Sequence, residues 1–416
     1  MASAPYTVKW GILATGGIAQ TFAKDLLADP GARGVSDVRH EVVAAASSSS
    51  RDRAVQFLQE VGAGSAAKAY GSYAELVVDP DVDIVYVATP HGHHFQNVML
   101  ALELGNKHVL CEKAFTVNAA QARKLVATAR ARNRFLMEAV WTRYFPLSVQ
   151  VRDLVQSGAI GTVYRVVADN SLNNNTDDPD KLAFPDSNRM VNKDLAGGAL
   201  LDLGIYSLTW LFQILYHLQT PTGTGADRKK EAPRVLAACN PYVRTGADEQ
   251  TTVVLQFPQH HSQGVAMTSM RVGTGVNRDQ PSGPAILIQG SEGEIQVMGP
   301  AYKPLQYRVF KRIKDADGSD AAAAAAPKVV DLPIPKDTRP GVTWQGHGMF
   351  WEADEAARCL RDGKSESATL PLEESIVIME TMEEALRQGG ITYPDVITTD
   401  VYDKDSPLNT GKPVQA

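Results

Sequence analysis

The chain has 416 residues, which is longer than one hydrophobic core usually holds and suggests two to three domains. A composition of 44% hydrophobic and 21% charged residues is typical of an ordinary globular protein. The formal net charge is −6, and since acidic and basic residues are spread along the chain, the charge pattern argues against nucleic-acid binding. No apolar run approaches about twenty residues and the first residues carry no basic region before an apolar stretch, so we expect neither a membrane span nor a secretion signal.

The cysteines are Cys111, Cys239 and Cys359, an odd number without metal-ligand spacing. We expect buried thiols in a reducing compartment, the cytoplasm. His91, His93 and His94 superficially suggest a metal, but no Cys, Asp or Glu cluster completes a tetrahedral set, so we predict no catalytic metal.

The first predicted strand, residues 8–13, leads into a glycine-rich turn and a predicted helix over residues 18–27. Read as G-x-G-x-x-G/A, the turn has Ala14, Gly16 and Ala19, so the first glycine is replaced. Small residues let the backbone approach a dinucleotide pyrophosphate, and the helix N-terminus supplies N–H donors. The alternative is a tight turn that binds nothing. The residues predicted to bind the cofactor here are Ala14, Thr15, Gly16, Gly17, Ile18 and Ala19.

The second predicted strand, residues 42–46, runs into a serine-rich and arginine-rich turn. Enzymes that use NAD tend to have an acidic side chain there, whereas hydroxyl and guanidinium groups suit the 2′-phosphate of NADP. We therefore predict NADP, with NAD as the alternative because Asp52 could point at the ribose. The arginines could also simply face solvent. The residues predicted to bind this end of the cofactor are Ser47, Ser48, Arg51 and Arg53.

The first 145 residues alternate apolar runs with amphipathic segments, which predicts a parallel sheet covered on both faces. Beyond Pro146, segments with period-two alternation predict a mainly antiparallel sheet. The predicted fold is α/β: a Rossmann domain (1–145), then an α+β substrate-binding and dimerisation domain with a large open sheet (146–400), and a tail (401–416). Residues 219–233 and 314–328 are predicted surface insertions.

Four later segments carry the remaining motifs: Thr89-Pro90-His91-Gly92-His93-His94, then Glu112-Lys113-Ala114, then 135–146 with Trp141 and Arg143, then 197–206 with Asp202 and Tyr206. In this order behind a dinucleotide turn, they resemble the glucose–fructose oxidoreductase, inositol dehydrogenase and rhizopine-catabolism (Gfo/Idh/MocA) family. The resemblance is strongest to its branch of dimeric dihydrodiol dehydrogenases and NADP-dependent D-xylose 1-dehydrogenases. It runs from about residue 8 to the final helix.

The resemblance implies hydride exchange between a nicotinamide and a sugar carbon or cyclic diol, in a homodimer formed through the second sheet. Tyr206 is the expected base, because a nearby cation such as Lys113 would lower the pKa of its phenol. Asp202 is expected to orient hydroxyl groups of the substrate or of the tyrosine network. The remaining residues that the resemblance places at the cofactor are Thr89, Pro90, His94, Glu112, Lys113, Trp141 and Arg143.

Two positions depart from the family pattern. The family usually has proline where this chain has Ala114, which removes an expected rigid, cis-prone peptide. Asparagine is frequent where His91 stands.

The expected function is NADP-dependent oxidation of the anomeric hydroxyl of an aldose to a lactone, with D-xylose as the leading candidate substrate. One alternative is oxidation of trans-dihydrodiols or carbonyl reduction. Another, from a different class, is a non-catalytic sugar-responsive corepressor that binds NADP only as a ligand. The presence of Lys113, Asp202 and Tyr206 together favours the enzyme.

Overall fold

The computed structural model describes residues 4–223, 229–275, 283–313 and 326–411. Its first part contains a six-stranded sheet of order β3-β2-β1-β4-β5-β6, in which every neighbouring pair is parallel. The strands are β1 (Tyr6–Leu13), β2 (Val38–Ala46), β3 (Lys68–Tyr70), β4 (Ile84–Val87), β5 (His108–Glu112) and β6 (Leu136–Ala139). The predicted Rossmann sheet is confirmed, and β3 is a strand that the sequence analysis did not predict.

Helices cover both faces of this sheet, which is why all four residues of β4 are buried and apolar. From β1 the chain adds β2 and β3 on one side and then β4 to β6 on the other, so the strand order reverses between β1 and β4. In such sheets ligands bind at the carboxyl ends of the strands that flank this reversal. The helices are α1 (Gly17–Leu26), α2 (Arg51–Val61), α3 (Tyr73–Val77), α4 (His91–Met99), which continues as a π-helical turn (Leu100–Leu104), and α5 (Ala119–Ala131).

The second sheet has eight strands in the order β14-β13-β12-β11-β7-β10-β9-β8. Only the central β7–β10 pair is parallel among the described pairs, so the predicted mainly antiparallel sheet is confirmed. The strands are β7 (Val163–Asp169), β8 (Arg234–Pro241), β9 (Asp248–Phe257), β10 (Ser262–Ser269), β11 (Pro284–Gly290), β12 (Gly293–Met298), β13 (Gln306–Lys311) and β14 (Lys328–Asp331).

Helices α6 (Pro146–Gln156) and α7 (Ile205–Leu215) follow the first domain, and α7 packs on one face of the second sheet. The helical stretch Lys193–Leu215 has the length and hydropathy of a membrane span, although the sequence analysis expected none. Its most apolar window is 94% buried inside the fold, as the central core helix of a domain would be.

The last helices return to the first domain. They are α8 (Phe350–Arg361), α9 (Leu372–Gln388), α10 (Asp395–Thr398) and α11 (Pro407–Thr410). Asp354 of α8 bonds to His40 of β2 at 2.9 Å, and Ser375 of α9 donates to Glu138 of β6 at 2.6 Å. Helices α8 and α9 therefore contact the first sheet, and α11, in the predicted tail, packs on α4. Residues 412–416 lie outside the described residues.

The two predicted insertions are described only in part. Thr222 and Lys229 pair as an isolated antiparallel bridge, with residues 224–228 outside the described ranges. Residues 314–325 are also outside them, and Lys328 begins β14 instead of ending a loop.

Candidate active site

A cavity of about 520 Å³ opens at the carboxyl ends of β1, β4 and β5, between the two sheets. Its lining brings together most of the motifs separated in sequence. The predicted residues that line it are Gly16, Gly17, Ile18, Thr89, Pro90, Glu112, Lys113, Trp141, Asp202 and Tyr206. The unpredicted lining residues include Arg189, Tyr302, Leu172 and Leu203, together with His91.

The glycine turn forms one end of this cavity. Ala14 stands at the first fingerprint position with φ of +83°, a conformation that glycine adopts more easily, and its N–H donates to the carbonyl oxygen of Ala46 at 3.1 Å. A Cβ placed on Gly16 or Gly17 would have no heavy atom within 4 Å, so the backbone faces open space at the start of α1. Free N–H groups at a helix N-terminus beside open space fit a pyrophosphate.

Three of the predicted turn residues, Ala14, Thr15 and Ala19, are not part of the cavity lining. Ala19 is fully buried in α1, where its small side chain allows close packing of the helix. Thr15 is half-buried beside it.

The serine-rich turn follows β2 directly beside the glycine turn. Ser50 caps α2 by accepting the N–H of Asp52 at 3.1 Å, while the hydroxyl groups of Ser47 and Ser49 lie 3.2 Å apart. Arg51 donates to the carbonyl oxygen of Ala69 at 3.1 Å, and Arg53 reaches Ser49 Oγ at 3.4 Å. Both arginines and Asp52 are exposed at the N-terminus of α2, outside the lining of the cavity.

Lys113, at the end of β5, reaches across to the second domain. Its ammonium donates to the backbone oxygen of Asp202 at 2.7 Å and to Asp202 Oδ1 at 2.8 Å. Arg189 donates to the same oxygen at 2.9 Å, and His91 Nε2 lies 3.7 Å from it. Burial acts to raise the pKa of Asp202, but the ammonium and the guanidinium together hold it well below its usual range. Asp202 is thus a buried anion shared by two cations.

Tyr206 lies one helical turn beyond Asp202, and its hydroxyl accepts a hydrogen bond of 2.7 Å from Trp141 Nε1. The Lys113 ammonium lies over the phenol ring, 5.1 Å from its centroid, while its hydrogen bonds go to Asp202. The net pKa shift of this phenol is opposite to the expected lowering. Burial, with the Glu112 carboxyl nearby, raises the pKa of Tyr206 well above its usual value, and the hydrogen bond from the Trp141 N–H acts against this rise.

Glu112 lies at the floor of the cavity. Its carboxyl accepts the hydroxyl hydrogen of Tyr86 and the backbone N–H of Lys113, and burial raises its pKa. The peptide bond between Lys113 and Ala114 is cis, although the sequence has no proline there.

His94 and Arg143 lie away from the cavity lining, contrary to the roles expected for them. The His94 ring is buried between the carbonyl oxygens of Ala114 at 2.8 Å and Thr89 at 2.9 Å, so it ties together two loops that line the cavity. Arg143 is fully buried and donates to Glu374 at 2.7 Å, in the core between α6 and α9. Its place beside Trp141 in sequence does not carry over to the fold because the two side chains point in different directions.

Gly197 and Gly198 come just before the helical stretch that carries Asp202 and Tyr206. A Cβ on Gly198 would lie 2.1 Å from Asp248 Oδ1, so the backbone approaches Asp248 closely there. Asp248 Oδ2 accepts the N–H of Leu200 at 2.7 Å, which fixes the start of the helical stretch that carries Asp202.

Sequence reasoning missed Arg189 and Tyr302. The ring of Tyr302 lies 5.8 Å from that of Tyr206 and 6.0 Å from that of Trp141, and completes an aromatic wall of the cavity. Neither residue belongs to a motif, and no pattern in the sequence separates them from other loop residues. In the loop after β7, Asn170 donates to the backbone oxygen of Leu203 at 3.1 Å, and Leu172 lines the cavity. Among the residues that the structure describes, none forms a group of three or more potential metal ligands.

Comparison with known proteins agrees with this arrangement. The family profile described as "Oxidoreductase family, NAD-binding Rossmann fold" matches residues 8–140, and the one described as "GFO/IDH/MocA C-terminal domain" matches residues 148–296. The chain is 63% identical over 407 residues to a D-xylose 1-dehydrogenase (NADP(+)) of Hypocrea jecorina, which covers 98% of both chains. It is 33% identical to a trans-1,2-dihydrobenzene-1,2-diol dehydrogenase of Xenopus tropicalis, over 93% of this chain and 99% of the relative.

The crystal structure of an NAD binding oxidoreductase from Klebsiella pneumoniae has the same fold, with a TM-score of 0.71 at 20% identity, covering 92% of this chain and 97% of that one. The glycine turn, the Lys113–Asp202–Tyr206 cluster and the full-length similarity lead to one conclusion. The chain belongs to the Gfo/Idh/MocA family of oxidoreductases.

Proposed function

We propose that this chain is an NADP-dependent dehydrogenase that oxidises the anomeric hydroxyl of an aldose to the lactone. The leading candidate substrate is D-xylose. The observation that carries the proposal is the convergence of Lys113, Asp202 and Tyr206 in one cavity beside the glycine turn. The 63% identity to a relative named for this activity supports the choice of substrate and cofactor.

The cofactor supplies the hydride acceptor, and the residues of this chain manage the proton and the orientation of the substrate. Tyr206 is the proposed proton carrier: its oxygen accepts the hydroxyl proton during oxidation and returns it when a carbonyl is reduced. The Trp141 N–H favours the ionised phenol by donating to its oxygen. Lys113, held by Asp202, offers a positive charge next to the oxygen on which negative charge develops.

The pocket has two chemically different sides. Lys113, Asp202 and Arg189 suit sugar hydroxyl groups, whereas the rings of Trp141 and Tyr302 suit an apolar ring face. The aromatic wall is the specific observation in favour of a second candidate function, oxidation of a cyclic trans-dihydrodiol.

We also infer that the protein is a homodimer in the cytoplasm, joined through the second sheet. On the face opposite to α7, a row of apolar side chains crosses five neighbouring strands. In this row Leu236 pairs with Val254, Val254 with Val265, Val265 with Val167, and Val167 with Leu287. These side chains are partly or largely exposed, with Leu236 at 67%, while their neighbours in sequence Val166, Val253 and Leu255 are fully buried. An apolar row on an open sheet face is the kind of surface that a second copy would cover.

The experiment mixes the purified full-length chain with NADP⁺ or NAD⁺ and with aldopentoses, aldohexoses or a trans-dihydrodiol, and follows the absorbance of the reduced cofactor. We expect the highest kcat/KM with D-xylose and NADP⁺. Tyr206→Phe should lower kcat at least about a hundredfold, since it removes the proton carrier. Tyr216→Phe, at the end of the same helix and outside the cavity, is the matched control. Cofactor binding without turnover of any substrate would instead favour the corepressor.

A further inference from the structure

Residues 395–411, called here the C-terminal segment, lie across α4 and α5 of the first domain. Ile397 and Leu408 are buried, at 1% and 2% exposure, and the amide of Gln121 on α5 donates to the carbonyl oxygens of Ile397 and Thr399 at 2.8 and 2.9 Å. The end of the segment reaches the serine-rich turn, because a Cβ on Gly411 would lie 2.6 Å from Ser48 Oγ. The segment therefore belongs to the wall behind the nucleotide site.

Two adjacent buried amides on α4 hold the C-terminal segment. Gln96 donates to the carbonyl oxygen of Val401 at 2.8 Å and accepts the N–H of Asp403 at 3.0 Å. Asn97 is fully buried and donates to the carbonyl oxygen of Leu408 at 3.0 Å and to Asn409 Oδ1 at 2.9 Å. A buried amide without partners is costly, so both side chains require the segment to be in place.

Asn97 differs from Gln96 because its other end bonds to a residue that lines the active-site cavity. Its Oδ1 lies 2.8 Å from the hydroxyl oxygen of Thr89, and Thr89 lines the cavity. Both N–H groups of Asn97 are used on the C-terminal segment, so its oxygen must face Thr89 and the Thr89 hydroxyl must be the donor. Because the Thr89 hydroxyl donates its hydrogen to Asn97, this hydroxyl can only accept hydrogen bonds from a molecule in the cavity.

We propose that Asn97 is a positioning residue through which the C-terminal segment sets the hydrogen-bonding polarity of Thr89 and thereby the affinity for the nicotinamide cofactor. If the segment leaves, the amide of Asn97 loses its two acceptors and can reverse, so the Thr89 hydroxyl is free to turn its hydrogen towards the cavity. A wall that presents an acceptor suits cofactor groups that carry N–H or O–H donors, such as a carboxamide or a ribose hydroxyl. The inference rests on the proposed function only in taking this cavity as the NADP site.

The test measures the Kd of NADP⁺ by titration in the absence of sugar, so turnover is not needed. Asn97→Leu should raise the Kd about threefold to tenfold. Gln96→Leu is the matched control, because it removes hydrogen bonds to the same segment from the same helix but does not touch Thr89. We expect it to lower the thermal stability comparably while leaving the Kd within about twofold. Equal effects of the two variants on the Kd would overturn the proposal.

A double-mutant cycle separates positioning from general loosening. Asn97→Leu should have no further effect on the Kd in the background of Thr89→Val, because the hydroxyl on which it acts is gone. Additive effects would contradict the proposed route. Absence of NADP⁺ binding by the unmodified chain would instead defeat the proposed function.

A measurement on the unmodified chain covers the case in which Asn97→Leu does not fold. Coupling between two sites is reciprocal, so bound NADP⁺ should slow hydrogen exchange of the backbone amides at 406–411. A chain ending at Ser406 should bind NADP⁺ threefold to tenfold more weakly. Unchanged exchange in 406–411, or unchanged affinity of the shortened chain, would reject the proposal.

Discussion

Lys113 and Asp202 are joined twice, through the backbone oxygen of Asp202 at 2.7 Å and through its carboxylate at 2.8 Å. The carboxylate also binds Arg189 and stays ionised, because the two cations hold its pKa well below the usual range. Asp202 is therefore suited to fix the ammonium in place and not to carry a proton. The pair makes the position of a first-domain cation depend on a second-domain helix.

Asp202→Asn should test this dependence. The amide keeps the shape of the side chain but removes the charge that holds Lys113 and Arg189 close together. We expect kcat/KM for the sugar to fall about a hundredfold, with the Kd of NADP⁺ within about threefold. Steady-state kinetics and cofactor titration measure the two quantities. Asp194→Asn, on a nearby short helical turn outside the cavity, serves as the control, and an equal loss there would argue against a specific role.

The pH dependence of oxidation should report on Trp141. Burial keeps the Tyr206 phenol protonated, so oxidation should speed up as pH rises and the phenolate becomes available. Trp141→Phe removes the N–H donor that lowers the pKa of Tyr206, so the rising part of the profile should move to higher pH. The measurement is kcat/KM against pH. An unchanged profile would mean that Tyr206 does not carry the proton.

Arg51 and Arg53 should control the preference for NADP over NAD. Replacing both by alanine removes guanidinium donors from the N-terminus of α2, where a 2′-phosphate would lie, and each charged hydrogen bond contributes about 1.5–3 kcal/mol. We expect the ratio of kcat/KM for NADP⁺ to that for NAD⁺ to fall about 10-fold to 100-fold. Arg39→Ala, near the opposite end of β2, is the control. Equal losses with both cofactors would contradict the assignment.

The apolar row on the second sheet should govern the oligomeric state. Leu236→Lys combined with Val265→Lys places two charges in the row and should convert dimers to monomers, as measured by light scattering during gel filtration. Val243→Lys changes an equally exposed apolar residue, at 70% exposure, just beyond β8 and should leave the dimer intact. A monomeric unmodified chain would disprove the proposed dimer.

Glu138 should make stability depend on pH. Its buried carboxyl accepts the N–H of Phe115 at 3.1 Å and the hydroxyl of Ser375 at 2.6 Å, and burial raises its pKa from 4.5 to about 7. Between these values the unfolded chain is ionised and the folded chain keeps the proton, so stability should fall as pH rises from about 4.5 to about 7 and then level off.

Glu138→Gln stays neutral at every pH and should remove this dependence, with a gain of roughly 3 kcal/mol over the unmodified protein above neutral pH. Urea unfolding at several pH values measures the difference. Glu383→Gln, on the same helix α9 but exposed, controls for a general effect of removing a charge. Parallel stability curves for Glu138→Gln and the unmodified chain would contradict the expectation.

The parts of the site that local patterns carry were predictable from the sequence. The glycine turn after β1 and the motifs that contain Lys113, Asp202 and Tyr206 are each short stretches of residues adjacent in the chain. Properties that depend on the tertiary fold were not predictable from the sequence. The direction of the pKa shift of Tyr206 depends on burial by both domains and on Glu112, which a linear pattern does not report.

Residues whose orientation depends on tertiary packing were the least predictable. Arg143 is two positions after Trp141, yet a short helical turn directs it into the core towards Glu374. Arg189 and Tyr302 come from loops that only the assembled second domain brings to the cavity. Packing between residues that are far apart in the sequence decides which side chains of such loops face the cavity.

The return of the last helices to the first sheet has a consequence for how the protein forms. His40 bonds to Asp354, Glu138 to Ser375 and Asn97 to Leu408. These polar groups of the first domain therefore lack their hydrogen-bond partners until the ribosome has released nearly the whole chain. Contacts this distant in sequence slow folding, and a half-made chain exposes buried polar and apolar surface in the meantime. The N-terminal half is thus a ligand-binding unit in the finished protein without being a unit of folding during its synthesis.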